Sequence, residues 1–109
     1  MKKNPSVYLN HILKAIKKIE SYKKQIEFKT FVDDDMRHDA IIRQLEIIGE
    51  AANHLPKEFL KANPEFPIIK AINMRNFLIH RYDDVDLEVV WETVTQDIPK
   101  LKQYIKHAP

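Results

Sequence analysis

The chain has no cysteine. Disulfides, a cysteine nucleophile and cysteine-ligated zinc are therefore excluded. Glycine is almost as scarce, with Gly49 the single one in 109 residues. All-β folds need glycine at their turns and dinucleotide-binding folds need it at their phosphate loops, so both are disfavoured. No apolar run approaches the roughly 18 residues of a membrane span. The opening segment, residues 1–10, holds two lysines with no apolar stretch behind them. No secretory signal peptide is expected, and the expected compartment is the cytoplasm.

What remains is an ordinary globular balance, with 44% hydrophobic and 31% charged residues. The length suits one domain, residues 1–109, and not two. Net charge is only +2 but it is unevenly spread. Residues 1–29 carry eight lysines against Glu20 and Glu27, whereas residues 30–60 and 83–109 are acidic on balance. The lysine run reads either as a solvated helix face or as a surface that attracts phosphate.

Apolar periodicity lays out the helices. Tyr8, Ile12, Ala15, Ile19, Tyr22 and Ile26 follow a four–three spacing that marks one helical face, predicting a helix over 5–28 begun by Asn4-Pro5. Ile41, Leu45, Ile48, Ala52 and Leu55 repeat that spacing after the caps offered by Asp33, Asp34 and Asp35, and Pro56 follows the predicted end near His54. Gly49 lies inside this second helix, where it costs about 1 kcal/mol relative to alanine, so close approach of another helix is the expected compensation. Three prolines in residues 56–67 indicate a short helical turn and a loop. A third helix is predicted from Pro67 through Arg75 and Asn76 to Ile79. A last one, capped by Asp86, carries Leu87, Val90, Trp91, Val94, Ile98, Leu101 and Ile105 and should kink or split at Pro99. The fold class is all-α, an up-and-down antiparallel bundle of four to five helices. The seam of the first two helices suits either internal packing or a dimer of bundles.

Chemistry concentrates in one place. His11, His38, His54 and His107 have no partner at metal-ligand spacing, and no HExxH-type pattern occurs, so no metal site and no cofactor is expected. His80 differs in its company: Arg75, Asn76, His80, Arg81 and Tyr82 fall within eight positions and use two of the chain's four arginines. Arginine grips phosphate bidentately, and histidine exchanges protons near neutral pH, so the group suits phosphodiester chemistry. On one continuous helix Arg75 and His80 would lie about 140° apart. Either the helix ends between them or a second subunit completes the site. Attack by an RNA 2′-hydroxyl needs both a base and an acid, and a twofold axis beside the segment would supply two histidines and two arginines. Equally open from the residues alone is a helix end where Arg75 caps carbonyls or pairs with a carboxylate, and His80 and Tyr82 pack locally.

The run from Arg75 through His80 to Tyr82, an arginine, four residues, a histidine, one residue and a tyrosine, resembles the signature of the HepT-like HEPN family. Asn76 is that family's usual polar residue after the arginine. Ile48-Gly49-Glu50-Ala51 is similar to its second-helix motif. Val85-Asp86, Val90-Trp91 and Ile98-Pro99-Lys100-Leu101 look like its last helix. The resemblance spans nearly the whole chain.

The resemblance implies a HEPN-type helical bundle and a homodimeric toxin of a type VII-like HEPN/nucleotidyltransferase toxin–antitoxin pair. The toxin would be a metal-independent endoribonuclease with a composite active site at the dimer interface. Arg75 would bind phosphate and stabilise the transition state, His80 would transfer protons, and Asn76 would orient loop or substrate. Arg81 is either a further phosphate contact or a solvated surface charge. Tyr82 would be modified: an MntA-type nucleotidyltransferase antitoxin would use ATP to transfer AMP onto it, adding charge and bulk beside the site. Glu50 either pairs with Arg75 or serves a function of its own. RNA, and transfer RNA from related toxins, is the implied substrate. The alternative is a non-catalytic HEPN scaffold or substrate-recruiting subunit for a nucleotidyltransferase.

Overall fold

The computed structural model describes residues 4–76 and 86–107. Every regular element among them is a helix: α1 (Pro5–Lys23), α2 (Phe28–Asp33), α3 (Asp35–Asn53), α4 (Lys57–Ala62), α5 (Ile68–Asn73), α6 (Leu87–Glu92), a π-helical turn (Thr93–Asp97) and α7 (Ile98–His107). The caps follow the sequence. Asn4 accepts from the Ser6 amide at 2.9 Å, Asp34 from that of Arg37 at 3.0 Å, and Asp86 from that of Glu88 at 3.0 Å. Each satisfies an amide that the first helical turn leaves without an intrahelical partner.

The long helices α1 and α3 form the centre and run antiparallel. Tyr8, at the start of α1, stacks on His54, just beyond the end of α3, at 5.6 Å between ring centroids. At the other end Ser21 and Tyr22 share a surface hollow with Asp34 and Met36. The first two predicted stripes thus meet each other: Ile12, Ile16 and Ile19 pack with Ile41, Leu45 and Ile48 in one core, all at or below 1% exposure. The seam therefore has an internal explanation. The helix containing Trp91 and Leu101 closes the core from another side, again antiparallel to α1. Lys102 pairs with Glu20 at 2.8 Å, and farther along α1 the Lys23 ammonium lies 5.5 Å from the Trp91 ring centre.

Two boundaries differ from the periodicity, and the last helix breaks as expected of Pro99. The first helix stops at Lys23, not at residue 28, because Gln25 takes a left-handed backbone with φ 61°. The chain then restarts as α2, whose Phe31 is fully buried and lies 5.0 Å from Trp91. The third predicted helix loses its regular form at Asn73. The last helix is split, as Pro99 requires. Pro99 has no N–H for the carbonyl four residues back, and its ring would crowd that carbonyl. The backbone widens directly ahead of it, so that the Ile98 amide bonds to the Thr93 carbonyl five residues back. Thr93 and Thr95 hydroxyls donate to the Val89 and Trp91 carbonyls at 2.9 Å, and the Val89 carbonyl also accepts from the Thr93 amide.

Among the described residues no helix is long and apolar enough to cross a membrane. The core centre carries the largest stability cost. Leu45→Ala at a position with 0% exposure is expected to lower unfolding free energy by about 2–5 kcal/mol in urea titrations, at unchanged m-value.

Candidate active site

The site is built around the end of α5. Its last turn tightens: the Met74 amide bonds to the Ala71 carbonyl and the Arg75 amide to the Ile72 carbonyl, both at 3.2 Å and both three residues back. Met74 is buried at 3% exposure and anchors the turn in the core. Arg75, next in sequence, is left at the surface with a side chain 38% exposed.

Gly49 holds that turn against α3. A Cβ added there would lie 2.6 Å from the Arg75 amide nitrogen, 2.8 Å from the Arg75 Cβ and 2.9 Å from the Ile72 carbonyl oxygen. Any side chain at residue 49 would therefore strike backbone at the very residue that presents the guanidinium. The close approach expected from a mid-helix glycine is present, and its target is Arg75. The neighbouring residue completes the seat. Glu50 Oε1 lies 3.7 Å from Arg75 Nη1, with side-chain exposures of 55% and 38%. An exposed pair at that separation contributes little to stability. What it does is bias the guanidinium toward the α3 side, where an anionic ligand can exchange with the carboxylate.

Glu50 also lines an open groove of about 470 Å³ between α1 and α3, shared with Tyr8, His11, Arg43, Glu46 and His54. His54 Nδ1 lies 2.8 Å from the Glu50 carbonyl oxygen, and His11 meets the Tyr8 ring edge-on at 6.3 Å. Arg43 pairs with Glu46. The sequence alone gives His11 and His54 no partner at ligand spacing. Fold and register bring them to one wall. A visible signal was the polar row Arg43, Glu46, Glu50 and His54, spaced three, four and four along α3 beside its apolar stripe. His38 is structural: its Nδ1 lies 3.0 Å from the Phe31 carbonyl oxygen, and its Nε2 is 3.7 Å from both Asp35 and Asp39.

Of the residues singled out from the sequence, Arg75 sits in the seat just described and Asn76 follows it, exposed. His80, Arg81 and Tyr82 lie outside the described residues. Among the described residues no group of three or more histidine and carboxylate side chains is placed to hold a metal ion.

A helical bundle that displays one arginine from a glycine-seated turn is the class this geometry defines. Residues 12–108 match the family described as “Ribonuclease HepT-like”, and the chain belongs to that family. It is 44% identical over 102 residues to a Thermococcus cleftensis protein named “Probable ribonuclease HepT”, covering 94% of this chain and 93% of that one. It is 40% identical over 104 residues to a candidate RNase of Caldanaerobacter subterraneus subsp. tengcongensis, covering 95% and 93%. A Methanocaldococcus jannaschii protein, named as a gamma-glutamylcyclotransferase and candidate RNase, is 45% identical over 105 residues; there the chain covers 96% of itself but only 47% of the relative. The chain thus spans about half the length of that relative and nearly all of the other two. No solved structure matches the chain.

The seat yields a direct test. Elsewhere in a helix, glycine to alanine is favourable by about 1 kcal/mol. Gly49→Ala is expected to do the reverse: backbone must move, the overpacking cost of about 1–3 kcal/mol wins, and Tm falls by several degrees in thermal melts. A higher Tm would show that the approach is not tight.

Proposed function

We propose that this chain is the toxin of a type VII-like HEPN/nucleotidyltransferase pair and acts as a metal-independent endoribonuclease on RNA, transfer RNA included. The observation that carries the reading is the Gly49–Glu50 seat, which fixes Arg75 at the surface of a chain belonging to the HepT-like ribonuclease family. An arginine held from behind by backbone contact, with a displaceable carboxylate as its partner, is suited to receive a phosphodiester.

The working unit is a homodimer with a composite site. Arg75 binds the scissile phosphate and stabilises charge that develops on its oxygens. One His80 takes the proton from the ribose 2′-hydroxyl as that oxygen attacks phosphorus. The bond from phosphorus to the 5′-oxygen breaks, and the second His80 protonates the leaving oxygen. The products are a 2′,3′-cyclic phosphate and a 5′-hydroxyl. Asn76 orients the segment, and Arg81 adds a phosphate contact.

Control falls to Tyr82. Its phenol oxygen attacks the α-phosphorus of ATP held by an MntA-type nucleotidyltransferase, pyrophosphate leaves, and the phenolic proton passes to a base. A free phenol has a pKa of about 10, so the partner supplies that base. The AMP brings negative charge beside Arg75 and excludes RNA phosphate.

The chain made without its neighbour and confirmed unmodified by mass should cleave RNA in excess EDTA, leaving cyclic-phosphate and 5′-hydroxyl ends. His80→Ala and Arg75→Ala should each lose at least about 100-fold in rate. A folded, unmodified chain that leaves RNA intact would instead indicate a scaffold or substrate-recruiting subunit for the nucleotidyltransferase.

A further inference from the structure

We propose that the groove between α1 and α3 binds a nucleobase of the RNA strand whose phosphate Arg75 holds, with the Tyr8–His54 ring pair as its stacking platform. The inference rests on the ribonuclease reading and adds a base subsite to it.

Position is the first argument. Glu50 belongs both to the pair with Arg75 and to the groove wall. His54 stands one helical turn beyond Glu50, about 6 Å along the α3 axis. A nucleoside attached to a phosphate at Arg75 spans that separation.

Shape and ring content are the second. The groove is open and has a volume of about 470 Å³, within the range of small-ligand sites. The Tyr8 and His54 rings lie nearly parallel, 21° apart in plane, and His11 closes the side edge-on at 88° to Tyr8. Single-stranded RNA is recognised chiefly by stacking its bases on such side chains.

Charge is the third, and it selects base over phosphate. Each arginine at the groove already has a carboxylate, Arg43 with Glu46 and Arg75 with Glu50. The charged lining residues Arg43, Glu46 and Glu50 sum to −1, so only the Arg75 end invites an anion. The wall offers hydrogen-bonding edges instead. The carbonyl oxygen of Glu50 can only accept, so the His54 Nδ1 facing it carries the hydrogen. In the neutral ring Nε2 is then an acceptor for an amino or imino group of a base. The carboxylates of Glu46 and Glu50 are acceptors of the same kind.

The test uses the full, unmodified chain carrying His80→Ala, so that bound RNA is not cut. An oligoribonucleotide with 2-aminopurine at successive positions reports stacking by quenching and affinity by titration. His54→Ala and Tyr8→Leu should each weaken binding about 5- to 100-fold and abolish the quenching. Tyr8→Phe, which keeps the ring, should stay within about twofold. His54 is exposed at the end of α3, so its variant reads the site even if Tyr8→Leu fails to fold. If the parent binds and quenches, and His54→Ala does so equally well, the subsite is refuted while the ribonuclease reading stands. If the parent binds no RNA, both fall together. If the variants lose RNA only because sedimentation shows a dimer turned monomer, the groove is a protein interface and the proposal is overturned.

Discussion

The feature on which the site depends is a backbone-to-backbone contact, not a side-chain bond. At Gly49 the helix α3 comes so close to the turn after α5 that a single methyl group would lie 2.6 Å from the Arg75 amide nitrogen. A contact of that kind fixes position more firmly than a surface ion pair, because neither party can rotate away. The core makes it possible. Ile48 and Ala52 flank Gly49 on the buried stripe of α3, and Ala71 and Met74 anchor the other side. The arginine is therefore presented by the packed interior, although its guanidinium is at the surface.

Much of this architecture was legible in the sequence, for reasons that can be named. The stripes of α1, α3 and the last helix repeat at helical spacing, and their members are buried or half-buried. Asn4, Asp34 and Asp86 mark helix starts because short polar side chains satisfy the first amides. Pro99 announces a break because it removes a donor. The misread boundaries share one cause, which is that apolar spacing does not register backbone turns. Ile26 continues the α1 stripe and is still half-buried, but it lies past the left-handed Gln25. Arg75 continues the pattern of α5, yet the bonds there have tightened to three residues.

The site was legible in a different degree. A mid-helix glycine, in a chain with no other, pointed to a close approach, and a carboxylate beside it offered a partner for Arg75. The partner of the approach could not be read, because contact between α3 and the turn after α5 is fixed by packing rather than by spacing. The groove was hidden for a related reason. Tyr8 and His54 are far apart in sequence and meet only because α1 and α3 run antiparallel in one register. Periodicity gives each helix its own faces, and packing decides which two faces share a wall.

The central claim is that Gly49 acts through the position of Arg75. A double-mutant cycle on RNA cleavage tests it most directly, using single-turnover rates at a temperature where every variant is folded. If the claim is right, Gly49→Ala slows cleavage strongly in the parent chain but changes the residual rate of Arg75→Ala by less than about twofold, since the group it displaces is already gone. Rate losses that multiply, with Gly49→Ala equally damaging in both backgrounds, would contradict the account and assign the glycine a role apart from the arginine.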